Sequence, residues 1–224
     1  MKGVKGILLM AGRAERFHDP IPKQFHLLQG KKIYLWTLEQ FTSSHLFEEV
    51  ILVTSSDRVE EIQNEVGDTA RVIPGGRTRQ ESSYRGLIAC GPATEIVVIH
   101  DGVRPFVSKR IIEENIEGAK AHGAVDTCIP STDTLVHAPN KKKISSIPPR
   151  SEFLRGQTPQ SFSYPFILQA HEKTKATHAT DDCQLMLEMG KEVYIVEGEE
   201  ANLKITTRQD LLLAEAKLSL IPIP

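Results

Sequence analysis

The chain alternates between two hydrophobic periods. Short apolar runs at Ile7–Met10, Val50–Thr54, Arg71–Ile73, Ile96–Ile99, Ala124–Ile129 and Val193–Val196 predict strands. Segments with apolar residues at helical spacing lie between them: Ile33–Phe41, Val59–Val66, Thr78–Ala89, Ser108 to the His122-Gly123 stop, and Tyr164–Thr174. A further helix is capped by Thr180 and runs through Met189, and a last one follows Thr207. Thr78 with Glu81, and Thr207 with Asp210, have the spacing of capping boxes, and Ser108 is a candidate cap. The Ile-Val-Val-Ile run at 96–99 is continuous and β-branched, as expected of a strand covered on both faces. Strand alternating with helix predicts an α/β fold, a doubly wound, mostly parallel sheet in one domain spanning 1–224.

The rhythm breaks between Ser131 and Pro159. Thr134–His137 and Lys143–Ile147 are short, half-polar strand candidates around a turn at Pro139-Asn140-Lys141. They predict a β-hairpin arm, residues 131–150, projecting from the sheet. Its polar tip holds little that could form a core, so a partner subunit is the expected support.

Composition narrows the class. Hydrophobic residues make up 40% and charged residues 25%, an ordinary balance for a globular chain. The formal net charge of −2 gives no support for bulk nucleic-acid binding. Cys90, Cys128 and Cys183 are far apart, with no zinc spacing, and read as reduced, mostly buried thiols. The opening apolar run is too short for a signal h-region or a membrane span, so a cytoplasmic protein is expected.

In open α/β sheets ligands gather at the carboxyl ends of the strands. Four polar clusters fall there: the loop after Met10-Ala11-Gly12 with Arg13, Arg16 and Lys23; Gly75–Ser82; His100-Asp101-Gly102-Val103-Arg104-Pro105; and Asn202-Leu203-Lys204. The first combines a small-residue turn with three cations, which suits a triphosphate. Glycines in the second allow close backbone approach to a ligand. An aspartate ending a buried strand is a usual metal-facing carboxylate. Each cluster also has a structural reading. Arg13 and Arg16 can be solvated, Gly75-Gly76 can be a turn, Asp101 can tie down its loop through Arg104, and Lys204 can be a surface lysine. His100 and Asp101 are adjacent on a strand and face opposite sides, which argues against a catalytic pair. The glycine fingerprint of dinucleotide sites, the P-loop and the GxSxG nucleophile elbow are absent from the sequence.

The opening loop with Pro22-Lys23-Gln24, Gly75 to Ser82, His100 to Pro105, Asp133-Thr134, Gln157 to Phe162, Thr180-Asp181-Asp182 and Asn202 to Thr206 occur in one order. Together they resemble the 2-C-methyl-D-erythritol 4-phosphate cytidylyltransferase family over nearly the whole chain. The resemblance implies a Rossmann-like nucleotidyltransferase that joins CTP to a sugar-alcohol phosphate with Mg²⁺ and releases pyrophosphate. It implies that Arg16 and Lys23 hold the triphosphate, with Lys204 alongside as a third catalytic cation. Met10, Ala11 and Gly12 match backbone lining the nucleotide, and Gly76, Arg79 and Ser82 match the cytosine-reading segment. Gly102 and Asp101 match residues near ribose, metal and substrate. Arg104, Thr158 and Lys204 match contacts to the sugar phosphate. Thr134 and Arg150 match residues that the arm carries into a partner's site, which implies a homodimer.

Ala14 stands where the family usually has a second glycine, and Arg77 stands where many relatives have an acidic residue. The nearest alternative is ribitol 5-phosphate cytidylyltransferase, which Gln157–Phe162 and Gly123–Thr127 also fit. The Gly76–Ser82 pattern favours the methylerythritol family. A sugar-1-phosphate nucleotidyltransferase using another base is a more distant alternative. A non-catalytic nucleotide-binding protein on the same scaffold is disfavoured by the complete set Arg16, Lys23, Asp101, Arg104 and Lys204.

Overall fold

The computed structural model describes residues 1–12, 17, 19–174, 179 and 181–220. Strand β1 (Val4–Leu9) is followed by the two-residue strands β2 (Leu27–Leu28) and β3 (Lys31–Lys32), helix α1 (Ile33–Ser43), β4 (Glu49–Thr54), α2 (Val59–Val66) and β5 (Arg71–Pro74). The chain continues through α3 (Arg79–Cys90), β6 (Ile96–Asp101), α4 (Lys109–His122), β7 (Ala124–Pro130), β8 (Leu154–Ser163) and α5 (Tyr164–Lys173). It ends with α6 (Asp182–Glu188), β9 (Tyr194–Glu197) and α7 (Arg208–Leu220). Among the described residues the main sheet has seven strands in the order β5-β4-β1-β6-β8-β7-β9, and only β8 runs against its neighbours.

Alternation along the strands separates two cores. Leu8, Leu52, Val98 and Val125 face α1, α2 and α4, where Tyr34, Phe41, Ile62, Ile112 and Ile116 are buried. Ile7, Ile51, Val97 and Phe162 face the opposite layer, with Leu87, Ile167 and Met186. A third cluster joins Phe17, Ile33, Val103, Ile205 and Ala214, packing α7 and the chain before it beside the end of β6. Each fully buried aliphatic or aromatic side chain contributes about 1.5–3 kcal/mol of transfer free energy. No helix among the described residues is long and apolar enough to cross a membrane.

The predicted helix and strand starts hold closely. Ser108 Oγ accepts the Ile111 N–H, and Thr78 Oγ1 accepts the Glu81 N–H. The second half of the Thr78 box differs from expectation, because the Glu81 carboxylate accepts from Arg77 N rather than from the cap residue. At α7 the box is reciprocal, with Thr207 N donating to Asp210 Oδ2 and Asp210 N donating to Thr207 Oγ1. Asp181, not Thr180, caps α6, its Oδ1 accepting from Cys183 N at 2.7 Å; Thr180 itself lies outside the described residues. All three cysteines are free thiols, two buried and Cys128 half-buried.

Two features of the break region depart from expectation. The predicted paired strands of the arm reduce to a single bridge, His137 with Ser146, because most of the arm's polar groups face solvent. The predicted turn is present: Asn140 Oδ1 accepts from Lys142 N and Lys143 N. The second departure is β8, ten residues inside the sheet and buried from Gln157 to Phe162. Its polar side chains are satisfied internally. Thr127 Oγ1 donates to Pro159 O at 2.6 Å and accepts from Asn115 Nδ2 at 2.8 Å, where the β7–β8 register shifts between Asp126 and Cys128.

Thr127→Val keeps the shape of that side chain and leaves the Asn115 donor and the Pro159 carbonyl without it. Urea denaturation should show a loss of about 1–3 kcal/mol with an unchanged m-value.

Candidate active site

The end of β6, the middle of β8 and one late loop meet at Asp101. It is the last residue of β6 and is 7% exposed, so its carboxylate requires partners. Lys204 Nζ lies 2.8 Å from Asp101 Oδ2, and Arg104 Nε lies 3.4 Å from the same oxygen. Burial alone would raise the Asp101 pKa. The charges of Lys204, Arg104 and Arg79 outweigh it and hold the group well below the usual carboxylate range. Arg104 is itself buried, and its Nη1 donates to Asn202 O at 2.8 Å, fastening the 202–204 loop to β6. Ile205 N adds a backbone bond to Val103 O at 3.0 Å.

Beneath this charged centre lies a neutral network. His100 is fully buried, with Nε2 3.2 Å from Arg104 O and Nδ1 3.0 Å from Thr158 Oγ1. Burial lowers the imidazole pKa to about 4, so one ring nitrogen donates and the other accepts. Arg104 O can only accept, which assigns the proton to Nε2, and Thr158 then donates to Nδ1. Thr158 Oγ1 also accepts from Asp101 N at 3.1 Å. His100 is thus a buried scaffold for the Asp101–Arg104 turn, in keeping with its strand-face assignment. Thr158, expected to touch substrate, is 5% exposed and spends its hydroxyl on this network.

The Met10–Gly12 and Gly75–Ser82 loops meet across β1. Met10 N donates to Val53 O at 2.8 Å, and Gly102 N donates to Leu9 O at 2.9 Å. Gly75 lies so close to the first loop that a Cβ there would come within 2.6 Å of the Ala11 Cβ and 2.9 Å of Ser82 Oγ. A Cβ on Gly76 would meet the Glu81 Cβ at 2.2 Å. Both positions therefore require glycine for space. Ser82 Oγ accepts from Gly76 N at 3.1 Å and donates to Thr78 O at 2.9 Å, which shapes the loop. Arg79 stands at the start of α3 with Nη1 2.5 Å from Asp182 Oδ2. Asp182 also accepts from Ser83 at 2.7 Å and lies 2.9 Å from His171 Nε2. Burial opposes its ionisation, but Arg79 and the hydrogen bonds from His171 and Ser83 hold its pKa down to about 2. Asp182 and Asn202 stand in sequence motifs that carry no role for them by themselves, and His171 has no sequence signal.

Lys23 lies in a short 3-10 turn, Lys23–Phe25, beside the opening loop. Arg16, Arg13 and Ala14 lie outside the described residues. Thr134 and Arg150 are exposed on the arm, and Arg150 Nη1 donates to Thr132 O at 2.8 Å within it. Val136, Ile144 and Ile147 on the same arm are more than half exposed.

The model of the 2-C-methyl-D-erythritol 4-phosphate cytidylyltransferase family matches residues 4–219. The chain belongs to this family. A relative of that name from Clostridium botulinum (strain Loch Maree / Type A3) is 38% identical over 217 residues, covering 93% of this chain and 94% of its own. The crystal structure of the 4-diphosphocytidyl-2C-methyl-D-erythritol synthase of Anaerococcus prevotii superposes with a TM-score of 0.85 at 30% identity, covering 97% of this chain and 99% of that one. The Thermus thermophilus cytidylyltransferase superposes with a TM-score of 0.80 at 34% identity, covering 96% and 98%. The fold is therefore common to this chain and to solved members of the family.

Beside the Asp101 centre, Gln160 Nε2 donates to Asp126 Oδ1 at 2.9 Å and to Asp181 Oδ2 at 2.7 Å. Burial, reinforced by the Asp181 charge, pushes the Asp126 pKa up to about 6 despite the bond from Gln160. A carboxyl whose pKa is raised on folding contributes stability below its unfolded pKa, near 4, and loses it as pH rises through 6. Asp126→Asn removes this titration. Its melting temperature relative to the unmodified protein should therefore rise progressively between pH 4 and pH 7.5; a pH-independent difference would contradict the assignment.

Proposed function

We propose that this chain transfers CMP from CTP to 2-C-methyl-D-erythritol 4-phosphate, forming 4-diphosphocytidyl-2-C-methyl-D-erythritol and pyrophosphate as a step of non-mevalonate isoprenoid synthesis. The observation that carries this reading is the Asp101–Lys204–Arg104 centre, set at the strand ends beside the Met10–Gly12 and Gly75–Ser82 loops, in a chain of this family. Joining two anionic reactants calls for positioning and charge neutralisation more than covalent chemistry. A phosphate oxygen that is ionised at pH 7 attacks the α-phosphorus, the bond to the β-phosphate oxygen breaks, and pyrophosphate leaves. No general base is required, which suits a site where His100, at the centre, is a neutral scaffold.

Lys23 and Arg16 act on the triphosphate, and Lys204 on the reacting phosphates. The backbone of Met10, Ala11, Gly12, Gly76 and Gly102 lines the nucleotide. Asp101 and Arg104 orient the sugar-alcohol phosphate. Asp101 also fits a single-carboxylate contact to Mg²⁺. One of its oxygens is engaged by Lys204 and Arg104, and the donor set is oxygen, with phosphates able to complete it. Bound there, the ion would neutralise phosphate charge. The enzyme works in the cytoplasm as a homodimer whose 131–150 arms deliver Thr134 and Arg150 to the partner's site. That role suits an arm with exposed apolar residues and a single bridge of its own.

Lys204→Ala does not separate turnover from stability. The Lys204 contact with buried Asp101 couples the two, and the loss is moderated because Lys204 is 37% exposed and Arg104 stays beside the same carboxylate oxygen. Lys23→Ala should lower kcat/KM for CTP by about a hundredfold or more at a matched folded fraction. The same assay with ribitol 5-phosphate in place of the methylerythritol substrate should give little turnover; preference for ribitol would sink the substrate assignment. A heterodimer of one Lys23→Ala subunit and one Arg150→Ala subunit should recover part of the activity that either homodimer lacks. Recovery requires that the arm act across the interface; a confirmed heterodimer with no gain would place Arg150 elsewhere.

A further inference from the structure

Gln24 follows Lys23, and none of the roles above uses it. It is 4% exposed. Its Nε2 donates to Met10 O at 2.7 Å and to Gly12 O at 3.1 Å. A primary amide nitrogen carries two hydrogens, so both are spent on the opening loop. The turn that carries Gln24 is anchored independently of that loop. Phe25 N donates to Pro22 O at 2.9 Å, and His26 N donates to Lys23 O at 3.1 Å. The Phe25 ring is buried edge-on against Tyr34, with centroids 5.9 Å apart. Gln24 therefore reaches from a fixed turn to the opening loop, which Met10 N also ties to Val53 O.

The consequence follows from peptide geometry. In a planar trans peptide the carbonyl and the following N–H point in opposite directions. With the Met10 carbonyl turned onto Gln24, the Ala11 N–H points away from it. A carbonyl oxygen facing a triphosphate would repel it, whereas an N–H would attract it. We propose that Gln24 is a positioning residue for the nucleotide: it keeps the negative ends of two loop peptides off the phosphates and holds that loop in register with the Lys23 cation. The proposal rests on the CTP reading of this loop. It assigns Gln24 an effect on CTP that the sugar-alcohol phosphate does not share.

Gln24→Met keeps the length of the side chain and removes both donors. Gln24→Glu keeps the shape and loses both donors while ionised, but regains one when protonated. For Gln24→Met, KM for CTP should rise at least about tenfold and KM for the sugar-alcohol phosphate less than about twofold, at a matched folded fraction. A carboxyl buried there against two carbonyl oxygens titrates above its free value near 4.3, so for Gln24→Glu, CTP affinity relative to the unmodified enzyme, measured calorimetrically, should improve several-fold on lowering pH from 8 to 5. Equal shifts in both KM values, or a Gln24→Glu affinity ratio that does not change with pH, would overturn the positioning role. An unmodified enzyme that fails to bind or turn over CTP would instead refute the reading of the loop.

Discussion

The ionised, buried carboxylate of Asp101 is the constraint on which the rest of the site depends. An isolated carboxylate cannot be left in that position, and its two cations come from different parts of the chain. Arg104 follows three residues later, and Lys204 comes from the loop before the last helix. Satisfying the charge therefore draws the end of the chain onto β6. The Arg104–Asn202 and Ile205–Val103 bonds secure it there, and Ile205 and Ala214 seal it apolarly. The neutral His100–Thr158 pair underneath fixes the backbone at Asp101 and Arg104. The antiparallel course of β8 brings Thr158 to that point.

The alternating pattern of the sheet was legible because most strands are apolar and helices α3, α4 and α7 begin with recognisable caps. Ile96–Ile99 and the Ser108 cap needed no tertiary information. The strand that was not legible, β8, contains Gln157, Thr158, Pro159, Gln160 and Ser161, which read as loop by composition. They form a buried strand because other segments supply their hydrogen bonds: Asn202 and Glu199 at Gln157, Asp126 and Asp181 at Gln160, Asn115 at Ser161. No local propensity encodes such long-range satisfaction. The arm erred in the other direction. Its half-polar alternation suggests two strands, but without a second layer to cover them only one bridge forms.

The candidate site shows the same division. Residues at strand ends, Asp101, Gly76 and Lys204 among them, could be chosen by position and type. Their supports could not. Asp182 holds Arg79 from a segment a hundred residues away in sequence, and the two carbonyls held by Gln24 are backbone atoms without a side-chain signature. A site that works through charge placement needs such supports throughout, since it has no covalent step to compensate for an imprecise geometry.

The most direct test of the claim that Asp101 and Lys204 act as one unit is a double-mutant cycle on kcat with Asp101→Asn, Lys204→Met and the pair, each checked for folded fraction. If the charges form one centre, the double mutant should lose little more activity than the worse single mutant. Losses that multiply would mean that the two residues act independently and would contradict the account.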